Sequence, residues 1–284
     1  MIATSGAMVL RFLIEMKGRI HNTGENAIEK GRLTWHLYTD MENQFVDSFD
    51  VFPPARVTEK LEKNMVAVMS LPELSPGESF NPTVILRLDT TTRDWLMETN
   101  ERNYDSLRKF QQQYCNPDRY WETQDPLISR IAEHIKKAAD KNESLSRLAF
   151  EIAKQQIKLR RHLTERKGAA RALREEEGDC DECADIFVAL ARSVGVPARR
   201  VVGHLFKGSS KPEPHAWCEV FIQNRGWIPI DASLGSFGIL NERYFSRIRE
   251  GLVSERPSFS VKLNGNGSSR VAISEQIQMS IVDL

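Results

Sequence analysis

The stretch Gly178-Asp-Cys-Asp-Glu-Cys-Ala-Asp-Ile-Phe-Val-Ala-Leu-Ala-Arg-Ser-Val-Gly-Val-Pro-Ala-Arg199 decides how this chain is read. Ala184–Val194 is mostly apolar and of helix length, and Gly195 and Pro197 stop it. Cys180 therefore lies at the start of a predicted helix. Unpaired backbone N–H groups and the positive end of the helix dipole favour a thiolate there. Gly178 allows a sharp turn or a close backbone approach. On this stretch alone, a structural cysteine fits as well as a reactive one.

Two later blocks shift the balance. Pro214-His-Ala-Trp217 opens one predicted strand, and Gly226-Trp-Ile-Pro-Ile-Asp231 makes the next. Pairing of these strands would bring His215 and Asp231 side by side. A thiol nucleophile needs an imidazole to take its proton, and the imidazole needs an acceptor to fix its tautomer. Cys180, His215 and Asp231 supply those roles in order. Taken singly, a histidine before a strand is an ordinary surface or core residue.

The three blocks together resemble the transglutaminase-like superfamily. Gly178–Arg199 is similar to its nucleophile motif, which ends in Gly-Ile/Val-Pro-Ala-Arg. His215-Ala-Trp-Cys-Glu-Val220 resembles its His-Ala-Trp-x-Glu-Val block, and Gly226–Asp231 its Gly-Trp-x-x-x-Asp block. The resemblance spans roughly residues 125–240. It implies an α+β fold, a papain-like core of helices packed on an antiparallel sheet. It also implies Cys180 as nucleophile, His215 as base and Asp231 as the orienting carboxylate. Cys183 stands where the family usually carries an aromatic or apolar residue, which suggests helix packing. Lys167–Leu173 is similar to the short helix that often precedes the cysteine loop. Two departures stand out. The segment Gln156–His162 lacks the aromatic that often assists the oxyanion, leaving the Cys180 N–H and an unidentified second donor. The chain also shows no evident calcium loop, so no metal or cofactor is expected.

Upstream, Val9–Ile20, Gly31–Val51, Asn64–Leu71 and Phe80–Leu88 are rich in β-branched and aromatic residues and are divided by turn clusters. They predict a β-sandwich domain, similar to those preceding the core in several prokaryotic members. Trp95–Asp125 reads as a partly helical linker. Leu127, Ile131, Ile135 and Ala138 then form a helical stripe behind Asp125-Pro126, and Leu145, Leu148, Ala149, Ile152 and Ile157 form a second. Ser258–Leu263 and Arg270–Ile281 alternate and read as a C-terminal hairpin. The domains expected are 1–118, the sandwich, and 119–284, the catalytic unit with that hairpin.

The bulk numbers exclude several classes. Of 284 residues, 40% are hydrophobic and 27% charged, which predicts a packed protein without wholesale disorder. Lys plus Arg equals Asp plus Glu, so no global field points to nucleic acid or membrane as a partner. No signal segment or spanning run is visible, and a cytoplasmic protein with reduced thiols is expected. The resemblance implies a peptide or protein substrate as partner, cut at an amide bond through a thioester. Hydrolysis, as by a peptidase or amidase, is favoured over amine crosslinking. Two rival readings remain: a redox or zinc Cys180-x-x-Cys183 pair, and a catalytically inactive binding module. The redox reading leaves His215 and Asp231 without a role.

Overall fold

The computed structural model describes residues 8–97, 107–160, 165–263 and 270–282. Its strands are β1 (Val9–Asn22), β2 (Gly31–His36), β3 (Gln44–Phe52), β4 (Arg56–Glu59), β5 (Met65–Leu71), β6 (Ser79–Phe80), β7 (Thr83–Thr91) and β8 (Arg93–Asp94). Helices α1 (Leu107–Tyr114), α2 (Pro126–Ala138) and α3 (Asn142–Gln155) follow, then β9 (Lys158–Leu159), α4 (Ala169–Glu175), β10 (Glu177–Gly178) and α5 (Cys180–Ser193). The remainder is β11 (Ala198–Leu205), β12 (Glu213–Ile222), β13 (Gly226–Asp231), β14 (Ser236–Phe237), β15 (Ile239–Leu240), β16 (Tyr244–Glu250), β17 (Phe259–Leu263) and β18 (Val271–Val282).

The second half is the expected α+β core. Its antiparallel sheet runs β14-β13-β12-β11-β16, and α5 packs on β11 and β12. Ile186, Phe187 and Leu190 of the helix share one apolar core with Val201, Val220 and Ile230 of the sheet. Helix α2 starts where its sequence says, because Asp125 accepts the Leu127 N–H at 2.9 Å and Pro126 needs no donor partner. The segment read as a linker holds α1, and its residues 98–106 lie outside those described.

The first half builds two antiparallel sheets, β18-β1-β7-β3 and β17-β2-β5-β4, with β6 also on β1. Phe12, Ile14 and Met16 of β1 and Leu86 and Leu88 of β7 meet Leu33 and Trp35 of β2 and Met69 of β5 in one core. The run Gly31–Val51 splits between the sheets, β2 going to one and β3 to the other.

The expected C-terminal hairpin does not form. β17 pairs with β2, while β18 pairs with β1 from Arg11↔Val282 to Asn22↔Val271. Both strands grouped with the catalytic half therefore complete the N-terminal sheets. Alternation fixes which face of a strand is buried but not which strand lies beside it, so the tail's partners were invisible in its own sequence.

Strand β16 joins the two halves. It pairs with β11, and all seven of its residues are buried. Its back meets the N-terminal sheets through reciprocal bonds. Gln44 donates to the Ser246 carbonyl and accepts the Ser246 N–H, each at 2.9 Å. Asn64 does the same for Arg249, at 2.9 and 2.7 Å. Phe245 enters the N-terminal core edge-on to Phe12, centroids 4.7 Å apart.

Gly203 makes this junction possible. It lies between His215 on β12 and Ser246 on β16. A Cβ there would fall 1.9 Å from the Phe245 carbonyl oxygen. Gly203→Ala is expected to force β16 off the sheet and cost about 3 kcal/mol, the upper range for overpacking, measurable by urea denaturation.

Candidate active site

Helix α5 begins at Cys180, earlier than its apolar run implies, because Asp179 is a strong cap. The Asp179 side chain accepts the Asp181 N–H at 2.8 Å, and Glu182 reaches back to accept the Asp179 N–H at 2.9 Å, a capping box. Glu182 also accepts the Lys167 N–H at 2.8 Å, tying the preceding loop to the helix start. Gly178 is required by this fold-back, since a Cβ on it would lie 2.4 Å from the Glu182 Cβ. Cys180 thus occupies the first helical position and is half-buried.

On β12, His215 is directed at the end of β13. Its Nε2 lies 2.7 Å from Oδ2 of Asp231, and both residues are buried. Because the strands are antiparallel, the start of β12 and the end of β13 fall at the same end of the sheet. Asp231 is fully engaged. Oδ2 also accepts the Tyr244 hydroxyl at 2.8 Å, and Oδ1 accepts the Ser233 hydroxyl at 2.8 Å and the Leu234 N–H at 3.0 Å. Burial alone would raise this carboxyl, but the bonds from His215, Ser233 and Leu234 hold it below the usual carboxylate range. An ionised Asp231 can only accept, so Nε2 carries the hydrogen and Nδ1 is left as the basic ring nitrogen. Trp217 stacks on the imidazole, centroids 6.1 Å apart, and Tyr244 meets it edge-on at 5.9 Å.

The Cys180 sulfur is placed against the backbone N–H of Ala216, the residue after His215. Burial first, and then the Asp181 charge, push its thiol up to about 12, with the Ala216 N–H opposing. A free-standing thiolate is therefore disfavoured. Asp181 itself is held by the Arg200 guanidinium, which is also bound by Glu250 of β16. That pairing keeps the Asp181 carboxyl below its ordinary range despite burial. Beneath α5, Arg166 and the Trp121 indole N–H, the latter at 2.9 Å, satisfy Asp185.

The other cysteines are differently placed. Cys183 and Cys218 are buried in the core and raised by that burial, and Cys115 is pushed up to about 11 for the same reason. All four are free thiols. Iodoacetamide at neutral pH is expected to modify Cys180 at least about tenfold faster than Cys115, since the Cys180 sulfur lies at the backbone N–H of Ala216, next to His215. Peptide mapping by mass spectrometry gives the order, and in His215→Ala the Cys180 rate should fall to that of Cys115.

Sequence reasoning missed Tyr244, Ser233 and Leu234. Ser233 and Leu234 had a signal, since a carboxylate at a strand end commonly takes the next turn's donors. Tyr244 had none, because it reaches Asp231 from β16, with β12 and β11 lying between the two strands in the sheet. Upstream of the cysteine, β9 runs parallel to β10, and Arg160 N–H bonds the Gly178 carbonyl at 2.8 Å. Of the segment Gln156–His162, residues 161 and 162 lie outside those described. Among the described residues no helix is long and apolar enough to cross a membrane.

The architecture recurs in one of the solved structures that this chain resembles. A provisionally assigned cysteine protease from Cytophaga hutchinsonii superposes with a TM-score of 0.67 at 17% identity, over 99% of this chain and 92% of that one. The periplasmic domain of TgpA from Pseudomonas aeruginosa, bound to ethylmercury, gives 0.39 at 12% identity over 80% and 90%. No curated protein matches significantly by sequence. Residues 129–232 match the model of the transglutaminase-like superfamily, which covers α5, β11, β12 and β13 with their blocks, and this part of the chain is a transglutaminase-like core.

Proposed function

We propose that this protein is a cysteine enzyme that cleaves amide bonds of peptides or proteins through a thioester. The observation that carries the reading is the His215–Asp231 pair, next in sequence to the Ala216 N–H that the sulfur of Cys180, on a capped helix start, lies against. In the first step the Cys180 sulfur attacks the amide carbonyl carbon as its proton passes to His215. The C–N bond then breaks, and His215 returns the proton to the departing amine or ammonia. In the second step His215 takes a proton from water, the hydroxide attacks the thioester, and the carboxylic acid leaves as the thiol re-forms. Asp231 keeps the imidazole in one tautomer and stabilises its charged form. The Cys180 N–H is one donor to the oxyanion.

Hydrolysis is favoured over amine transfer on chemical grounds. Water needs no site of its own, whereas a lysine acceptor must be held in a second cleft that excludes water. Incubation with peptide libraries, with and without a primary amine, tests both halves by mass spectrometry. Acylated Cys180 and shortened or deamidated peptides are expected. Products carrying the amine in excess of hydrolysed ones would reassign the acceptor. An unacylated Cys180 throughout would point to the inactive binding module.

A further inference from the structure

We infer that Tyr244 is a positioning residue that sets how strongly Asp231 holds the His215 ring, and so tunes the base. This rests on the reading above. The tyrosine hydroxyl and His215 Nε2 share one carboxylate oxygen, at 2.8 and 2.7 Å. Each donor bonded to that oxygen draws off part of its charge, leaving less for the other. Tyr244 has no freedom to leave: it is buried, edge-on to the rings of both His215 and Trp217, and its strand is locked between β11 and the N-terminal sheets.

The competing explanation is that Tyr244 merely fixes the Asp231 side chain. The other oxygen argues against it. Oδ1 is already held by the Ser233 hydroxyl and the Leu234 N–H, which fix the carboxylate plane without help from Tyr244. Removing the phenol should then leave Asp231 in place but free more negative charge to face His215. The imidazolium becomes easier to form, and the Nε2–H to Oδ2 bond tightens. In this chain the catalytic sheet thus takes a working side chain from the strand that also contacts the N-terminal sheets.

Tyr244→Phe keeps the ring packing and deletes only the hydroxyl. Its signature is expected in two measurements. In proton NMR, the low-field Nε2–H resonance of His215, assigned by its loss in His215→Ala, should move further downfield. In the pH profile of kcat/KM, the limb lost in His215→Ala should move to higher pH, by about half a unit. The NMR readout needs no substrate, so it stands even if turnover is never found. An unmoved resonance overturns the inference whatever the activity, as does a loss of activity with both the resonance and the profile unchanged. If the resonance moves but Cys180 is never acylated, the positioning role holds and the enzyme reading fails. Ser233→Ala is the control, and a shift as large as that of Tyr244→Phe would also overturn the assignment to the shared oxygen.

Discussion

Replacing His215 with alanine is expected to lower turnover by about 1,000-fold or more, while far-UV circular dichroism stays as in the parent protein. Burial and the Asp181 charge push the Cys180 thiol up to about 12, so without a base very little thiolate forms near neutrality. The Ala216 N–H does not offset those two effects. The fold should survive because the imidazole's one hydrogen-bond partner among those described is Asp231, which keeps the donors of Tyr244, Ser233 and Leu234. Asp231→Asn should be damaging but less so. An amide can offer its oxygen to only one side. If that oxygen faces His215 and Tyr244, the NH2 meets the Leu234 N–H, two donors with nothing between them. If it is reversed, the NH2 faces Nε2 and imposes the wrong tautomer. Full activity in His215→Ala would remove this residue from the mechanism.

A fragment beginning near residue 119 is expected to be insoluble, although the sequence drew a boundary there. Such a fragment strands β17 and β18 without β2 and β1, and it uncovers the back of β16. Arg247 illustrates the cost. Its guanidinium bonds Glu275 of β18 at 2.9 Å and the His36 carbonyl of β2 at 2.8 Å, and it is almost wholly buried. The fragment keeps both Arg247 and Glu275, but β18 has lost β1 and no longer holds the carboxylate in place. Water replaces the bonds from Gln44 and Asn64 to β16, whereas Phe245, fully buried in the N-terminal core, is left exposed at a cost of about 1.5–3 kcal/mol. That loss, with two strands left without their sheets, weighs against a domain stability of about 5–15 kcal/mol. Deleting residues 271–284 should fail for the same reason from the other side. Expression, solubility and a cooperative thermal transition measure both. A soluble 119–284 fragment that reacts with a thiol probe would show instead that the halves fold independently.

The parts read correctly from sequence are those whose cause is local. Cys180 at a helix start follows from Asp179, Glu182 and the apolar run behind them, and α2 from Asp125-Pro126. His215 and Asp231 meet because consecutive strands pair, which is the default for a short connection. What stayed hidden depends on partners distant in sequence. β18 finds β1 across the full length of the chain, and Tyr244 reaches Asp231 only because β16 returns to pair with β11. The pattern of Arg270–Ile281 is the same whether it closes a hairpin or a sheet. Ionisation was also beyond reach: helix position argued for an acidic thiol at Cys180, and burial with Asp181 argues the other way.

The pairing of β1 with β18 also sets a timetable. A ribosome makes β1 well before β18, with about 250 residues between Asn22 and Val271. At roughly 5–20 residues per second, that interval lasts about 12–50 s. Through all of it one edge of β1 waits unpaired, and the stripe Phe12, Ile14, Met16 and Ile20 lacks part of its cover. The sheet of the transglutaminase-like core is complete in sequence once β16 ends at Glu250 and can collapse while the first strand is still waiting for the last. Yield in a cell should therefore respond more to holdase chaperones acting on the nascent chain than to any change near Cys180.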